Sequence, residues 1–157
     1  ENICCGQTEQ GLSRATEAAK AVHAHHFISK LPHGYETQLG EDTYSLDAGQ
    51  RYRIGLARAV ARNPALLVIE EPDSALDADT KSLLGDTYDR ITAGRTVVFL
   101  PTRLSTVRRA DRVVLVHEGQ VAETGRHEDL VRTSDLYRHW EYTRFNAFGA
   151  IPEPAES

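Results

Sequence analysis

The chain has 157 residues, of which 18 are Lys or Arg and 23 are Asp or Glu, and its formal net charge is −5. Hydrophobic residues make up 40 % of the sequence. This proportion is typical of a globular domain and excludes collagen-like, low-complexity and disulfide-scaffold chains. The mild acidity argues against nucleic acid as a partner. The longest apolar runs have about five residues, whereas a transmembrane helix needs about twenty, so we expect a soluble chain without a membrane span.

The first third of the chain is predicted to be mainly helical. Apolar residues recur at helical spacing over 12–30, and Pro32 with Gly34 ends this pattern. The polar residues 33–46 predict a loop, and a second helix is predicted over 48–62.

The rest of the sequence alternates short strands with helices. Continuous apolar runs predict strands at 66–69, 96–100 and 112–116, and such runs are typical of strands buried on both faces of a parallel sheet. Helices are predicted over 78–91, 104–110 and 126–147, a further short strand over 121–124, and a disordered tail over 151–157. This order of strands and helices favours a layered α/β fold.

Two carboxylates, Glu70 and Glu71, directly follow the first predicted strand. In open α/β sheets, ligands bind beyond the carboxyl ends of the strands. Two acids at that place suit Mg²⁺, which prefers oxygen ligands, and they also suit activation of a water molecule. A charged pair at a strand end is often just the start of a loop, so the surrounding motifs have to sharpen this interpretation.

The surrounding motifs carry a specific resemblance. Leu46-Asp47-Ala48-Gly49-Gln50 opens the second predicted helix, Ser74-Ala75-Leu76-Asp77 follows the carboxylates, and Leu104-Ser105-Thr106-Val107 follows a later strand. In this order and spacing, the chain resembles the nucleotide-binding domain of an ABC transporter of the exporter type, from about residue 1 to residue 139. Residues 46–50 resemble its LSGGQ signature, 66–71 its Walker B strand and 74–77 its D-loop.

The resemblance implies an α/β fold, namely part of a P-loop NTPase-like layered fold with a mostly parallel sheet core and a helical subdomain. Residues 1–63 are then expected to form the helical subdomain with the signature helix, 64–148 the C-terminal part of the ATPase core, and 149–157 a flexible tail. The implied partners are a second nucleotide-binding domain, identical or different, and the transmembrane domains of the same transporter, at the cytoplasmic face of a membrane. ATP and Mg²⁺ are implied for the complete domain. Because nothing here matches the Walker A loop G-x-x-x-x-G-K-[ST], we expect none of them to bind this chain alone.

The resemblance also implies roles for individual residues. Glu71 matches the catalytic glutamate, the general base for the attacking water, and Thr102 stands where exporters have a histidine that touches the γ-phosphate. Glu70 stands at the position that serves the magnesium ion. The positions implied to contact nucleotide are Leu46, Asp47, Ala48, Gly49, Gln50, Ser74 and Asp77.

The chain departs from the family pattern at three of these places, namely the signature, the Walker B strand and the position of the histidine. Asp47 replaces the signature serine, and an ionised carboxylate repels a phosphate and donates no hydrogen bond. Asp is also a strong helix N-cap, worth about 1 kcal/mol over Ala, so both readings of Asp47 can hold together. Ala48 replaces a glycine and adds a Cβ, Glu70 is one methylene longer than the usual aspartate, and Thr102 lacks an imidazole. The sequence therefore predicts a degenerate copy with impaired hydrolysis. The alternatives are a working transport ATPase that tolerates these changes and a non-catalytic regulatory or truncated module.

Overall fold

The computed structural model of the chain describes residues 2–4, 11–40, 44–72 and 76–146. Within these ranges the elements are α1 Gly11–Ala21, α2 His25–Ser29, a 3₁₀ turn Gly34–Glu36, α3 Ala48–Ala61, β1 Leu66–Glu70, α4 Ala78–Thr92, β2 Thr96–Leu100, α5 Leu104–Arg109, β3 Val113–His117, β4 Gln120–Gly125, α6 His127–Thr133 and α7 Asp135–Phe145. The predicted tail over 149–157 lies outside the described residues. No helix in the described ranges is long and apolar enough to cross a membrane.

The chain divides into two compact units, Glu1–Val98 and Phe99–Ser157. In the first unit, α1 packs against α2, α3 and α4, and α3 also packs against α4. Strands β1 and β2 form a small parallel sheet, and α4 connects them. The expected division into residues 1–63, 64–148 and 149–157 stays a prediction.

The predicted helix over 12–30 is wrong as a single element, because the chain turns between α1 and α2. His23 has a left-handed φ of 54° at this turn. Its carbonyl accepts a hydrogen bond of 3.1 Å from Arg53 of α3, and its imidazole contacts the carboxylate of Asp86 on α4. Val22 and Ala24 on either side are fully buried. These long-range contacts outweigh the helical spacing of the local sequence.

The expectation that the strands are buried on both faces is also wrong. In β1, Leu67 and Ile69 are buried, whereas Leu66 and Val68 are 56 % and 64 % exposed. In β2, exposed residues alternate with half-buried ones. Within the described residues, the rest of the chain covers one face of β1, so an uninterrupted apolar run here has one buried side and one exposed side.

The second unit is an antiparallel hairpin covered by helices, so the expected mostly parallel sheet is confirmed only for β1 and β2. Strand β3 pairs antiparallel with β4, with Val113 opposite Gly125 and His117 opposite Gln120. The buried core of this unit is Val107, Leu115, Leu130 and Tyr137.

The predicted helix over 126–147 consists of two helices, α6 and α7, which meet at Ser134. The Ser134 hydroxyl accepts a hydrogen bond of 3.1 Å from the backbone N–H of Tyr137 and donates one of 2.7 Å to Glu123 on β4. Ser134 therefore caps α7, and this cap begins a new helix where the sequence pattern continues the old one.

Candidate functional site

The N-terminus of α3 is built around Asp47, which is exposed at the surface. Its carboxylate accepts a hydrogen bond of 2.7 Å from the backbone N–H of Gln50, and the Gln50 side chain accepts one of 3.2 Å from the backbone N–H of Asp47. This reciprocal arrangement is a capping box, which satisfies two backbone donors at once. The predicted capping role of Asp47 is confirmed.

The residues next to Asp47 are fixed by the same helix start. Leu46 is buried, and its carbonyl accepts a hydrogen bond from the Arg51 guanidinium. Ala48 is the first residue of α3 and is half-buried. Residues 46–50 thus form a hydrogen-bonded helix start with the exposed carboxylate of Asp47 at its N-terminus.

Gly49 brings the start of α3 against the start of α4. A Cβ at Gly49 would lie 2.2 Å from Thr80 Oγ1 and 2.3 Å from Asp77 Oδ2, so any larger residue there would force these side chains to move. Glycine therefore permits this close approach of two helix ends. The sequence placed Gly49 and Asp77 in the same candidate site, and the structure brings them into contact.

Asp77 caps α4 as Asp47 caps α3. Its two carboxylate oxygens accept hydrogen bonds of 2.7 Å from the backbone N–H of Thr80 and 2.6 Å from the Thr80 hydroxyl. The hydrogen bond from the Thr80 hydroxyl, with the one from the Thr80 backbone, holds the pKa of Asp77 below its ordinary value. The charged form of Asp77 is therefore the form that the native structure favours.

The two carboxylates at the end of β1 lie in opposite environments. Glu70 is exposed, whereas Glu71 is 2 % exposed. The Glu71 carboxylate is near enough to Tyr88 on α4 to raise the pKa of its hydroxyl. The Tyr88 hydroxyl lies 2.6 Å from the hydroxyl of Tyr52 on α3. Burial raises the pKa of Tyr88 well above its ordinary value, and the contacts with Tyr52 and Glu71 raise it further.

Arg53 is a buried cation, and it joins α3 to the turn between α1 and α2. Besides the His23 carbonyl, its guanidinium contacts the Gly49 carbonyl at 3.5 Å and lies 5.0 Å from the centre of the Phe27 ring. It also lowers the pKa of Asp77 through its charge, as the weakest of the contributions there. Sequence reasoning missed Arg53, Tyr52 and Tyr88. The sequence shows that Tyr52 and Tyr88 belong to two different helices, but nothing in their spacing indicates that their hydroxyls meet.

Other known proteins resemble this arrangement in sequence and in structure. ABC transporter B family member 17 of Arabidopsis thaliana is 42 % identical over 135 residues, and member 19 of the same family is 42 % identical over 137 residues. The structure of a bacterial Atm1-family ABC exporter with ATP bound superimposes with a TM-score of 0.78 and 32 % identity, covering 98 % of this chain. The homologues of this chain are ABC transporters.

The chain corresponds to a limited region of these ABC exporters. It covers 11 % of the length of family members 17 and 19 and 26 % of the Atm1-family chain. No protein-family model matches it. The mixed helix and strand fold is consistent with that of the ABC exporters.

The predicted site residues lie in both of the compact units described above. The first unit contains 46–50, Glu70, Glu71 and Asp77, and the second contains Thr102, which is half-buried between β2 and α5. Ser74 lies outside the described residues. Among the residues that are described, no group of three or more His, Cys, Asp or Glu side chains could hold a metal ion.

Proposed function

We propose that this chain is the C-terminal part of the nucleotide-binding domain of an ABC exporter, which couples ATP binding and hydrolysis to transmembrane transport. The observation that carries the proposal is the match, over 98 % of the chain and at a TM-score of 0.78, to an exporter whose structure has ATP bound. The proposed partners are a second nucleotide-binding domain and the transmembrane domains of the same transporter, at the cytoplasmic face of the membrane.

In this proposal, the N-terminus of α3 faces a nucleotide that the second domain holds. Helix N-termini bind phosphate through unpaired backbone N–H groups and the helix dipole. In this chain the Asp47 carboxylate already accepts the N–H of Gln50 at 2.7 Å, so it takes a position that a phosphate oxygen needs. Its negative charge further opposes phosphate binding. Both effects support a degenerate copy that binds nucleotide weakly at this helix.

Glu70 is the residue proposed to serve Mg²⁺. Mg²⁺ is commonly held by one or two carboxylates together with waters and substrate phosphates, rather than by a cage of protein ligands. A single exposed carboxylate at the end of β1 fits that mode of binding. When bound, the ion supplies positive charge that neutralises phosphate oxygens.

Glu71 and Thr102 have the proposed catalytic roles. Glu71 accepts a proton from the attacking water as general base, and this requires one carboxylate oxygen to reach that water. Thr102 contributes one hydroxyl toward the γ-phosphate in place of the longer, chargeable histidine. Impaired hydrolysis follows from the weaker contact that a short neutral hydroxyl makes with phosphate.

ATP-dependent association tests the proposal. This chain is mixed with a nucleotide-binding domain of an ABC exporter that carries intact Walker motifs, and the complex is measured by sedimentation velocity with ATP, with ADP and without nucleotide. We expect a complex that ATP promotes and ADP does not, weak for the parent chain and tighter for Asp47→Ser. Absence of an ATP-promoted complex with both chains would contradict the proposed function.

A further inference from the structure

The N-termini of α3 and α4 meet at Gly49. The Cβ position of this glycine lies 2.2 Å from Thr80 Oγ1 and 2.3 Å from Asp77 Oδ2, so both oxygens lie against the backbone of α3. The two oxygens are also joined to each other, because the Thr80 hydroxyl donates a hydrogen bond of 2.6 Å to Asp77 Oδ2. Gly49 is buried, and Thr80 is fully buried. The start of α3 thus packs on a hydrogen bond between two residues at the start of α4.

This hydrogen bond is additional to the cap of α4. Asp77 caps the helix through its other carboxylate oxygen, Oδ1, which accepts the backbone N–H of Thr80 at 2.7 Å. The bond from the Thr80 hydroxyl to Oδ2 satisfies no further backbone group of α4. It fixes the carboxylate and the hydroxyl in one orientation, in which both oxygens contact Gly49. The contact with α3 is what distinguishes this bond from a helix cap.

The position of Gly49 is linked to the position of the Asp47 carboxylate within one helical turn. That carboxylate accepts the N–H of Gln50 at 2.7 Å. The Asp47 carbonyl accepts the N–H of Arg51 at 3.0 Å. The Gly49 carbonyl contacts the Arg53 guanidinium at 3.5 Å. A displacement of Gly49 therefore disturbs the whole first turn of α3, including its cap.

We propose that the Thr80 hydroxyl positions the N-terminus of α3, because its bond to Asp77 Oδ2 determines where Gly49 lies. The direction in which Asp47 faces a nucleotide then depends on a residue of another helix. This second step rests on the proposed function, whereas the positioning of α3 does not. Thr80 is a positioning residue, since it is fully buried and acts through Gly49 rather than on nucleotide.

Amide hydrogen exchange of the 157-residue chain without nucleotide tests the positioning of α3. Nuclear magnetic resonance measures the exchange rates of the Gln50 and Arg51 amides, which are hydrogen-bonded in the first turn. Each rate is divided by that of Ala57, a fully buried residue later in the same helix. This exchange ratio isolates the first turn, because a general loss of stability accelerates exchange at Ala57 as well.

The variants separate the hydroxyl from the rest of the side chain. Thr80→Val replaces the hydroxyl by a methyl group and keeps the backbone N–H that Asp77 accepts, whereas Thr80→Ser keeps the hydroxyl. The matched control is Thr87→Val, because Thr87 lies in the same helix and is also fully buried. Within the described ranges, the Thr87 hydroxyl has no hydrogen-bond partner. A fourth variant, Asp77→Ser, keeps a capping oxygen and removes the second acceptor.

We expect Thr80→Val to raise the exchange ratio of Gln50 and Arg51 at least about tenfold, the scale of one lost hydrogen bond to a charged group. Thr80→Ser and Thr87→Val should leave the ratio as it is in the parent chain, since neither removes the bond to Asp77. Circular dichroism identifies any variant that has lost its fold. Asp77→Ser decides the outcome if Thr80→Val is unfolded.

ATP-promoted association tests the second step. It is measured in the Asp47→Ser chain, which we expect to bind an intact nucleotide-binding domain more tightly than the parent. Adding Thr80→Val should weaken this complex about tenfold, because a displaced helix start loses a hydrogen bond to phosphate. Adding Thr87→Val should leave the affinity unchanged. Equal affinities with and without Thr80→Val would overturn the step from α3 to nucleotide.

Two results would overturn the positioning itself. One is an exchange ratio in Thr80→Val, or in Asp77→Ser if that variant is unfolded, that equals the ratio in Thr87→Val. The other is a ratio in Thr80→Ser as high as in Thr80→Val, since the hydroxyl would then not be the positioning group. Because exchange is measured without nucleotide, either result leaves the proposed function standing. Absence of any ATP-promoted complex would contradict the proposed function and leave the positioning of α3 intact.

Discussion

The start of α3 and the end of β1 both place a carboxylate in the candidate site, but they stabilise it differently. Asp47 stands in solvent and is bonded to the backbone of its own helix, three residues away. Glu71 is buried and raises the pKa of Tyr88 on another element, whose hydroxyl lies 2.6 Å from the hydroxyl of Tyr52 on a third. The first carboxylate is held by the backbone of its own helix, whereas the second lies in the buried interior of the first unit. One site thus contains a carboxylate stabilised by its own helix, Asp47, and a carboxylate stabilised by the packing of several elements, Glu71.

The largest effect on stability is expected at Gly49, because there the exposed helix start is also a packing contact. Gly49→Ala puts a Cβ 2.2 Å from Thr80 Oγ1, and such overpacking costs about 1–3 kcal/mol of unfolding free energy. Gly55→Ala is the matched control in the same helix, since nothing lies within 4 Å of its Cβ position. It should stabilise the chain by about 0.5–1 kcal/mol. Urea unfolding measures both, and equal effects would show that α3 and α4 do not approach as described.

A smaller effect is expected for the cap itself. Asp47→Ala removes the acceptor for the Gln50 N–H and should cost about 1 kcal/mol, whereas Asp47→Ser keeps an acceptor and should cost only a few tenths. Urea unfolding of the two variants separates the cap from the charge. A loss of several kcal/mol for either variant would mean that Asp47 takes part in tertiary packing, and the contrast with Glu71 would then be lost.

The smallest effect is expected on acidification. The hydrogen bonds from Thr80 lower the pKa of Asp77 below its ordinary value, so the unfolded chain binds a proton there more readily than the native chain. The contribution of Asp77 is therefore complete above the pKa of the unfolded state, about 4, and is lost as the pH falls through the native pKa. Unfolding by urea between pH 6 and pH 2.5 should show a shallower acid loss for Asp77→Asn than for Asp79→Asn, an exposed control in the first turn of the same helix. Identical acid profiles for the two variants would contradict this account.

The parts of the fold that depend on local sequence could be predicted. The helix over 48–62 and the strands near 66–69 and 96–100 are confirmed, because the apolar pattern and the helix-ending residues are contained in the elements themselves. The breaks at His23 and Ser134 could not be predicted, because His23 is fixed by Arg53 and Ser134 is bonded to Glu123 on another element. A continuous apolar run likewise predicts a strand with two apolar faces. It does not predict whether the rest of the chain covers one of these faces or both.

The same distinction applies to the candidate site. The cap at Asp47 follows from the preference of Asp for the residue before a helix, and the structure confirms it. The contact of Gly49 with Thr80 and the bond between Tyr52 and Tyr88 join residues that are far apart in sequence. No spacing rule for one helix or one strand predicts such contacts, because they depend on how α3 and α4 pack.

The most direct test of the proposed degeneracy compares ATP-promoted association with an intact nucleotide-binding domain for three chains: the parent, Asp47→Ser and Asp79→Ser. Asp79→Ser removes the same charge from the first turn of α4 and serves as the control. Two unit charges about 4 Å apart repel by roughly 4 kcal/mol at an effective dielectric constant near 20, and even a third of this is about tenfold in affinity. We predict that Asp47→Ser tightens the ATP-promoted complex at least tenfold and that Asp79→Ser leaves its affinity unchanged. Equal affinities for the parent and Asp47→Ser would contradict the account, since Asp47 would then be a helix cap without influence on nucleotide.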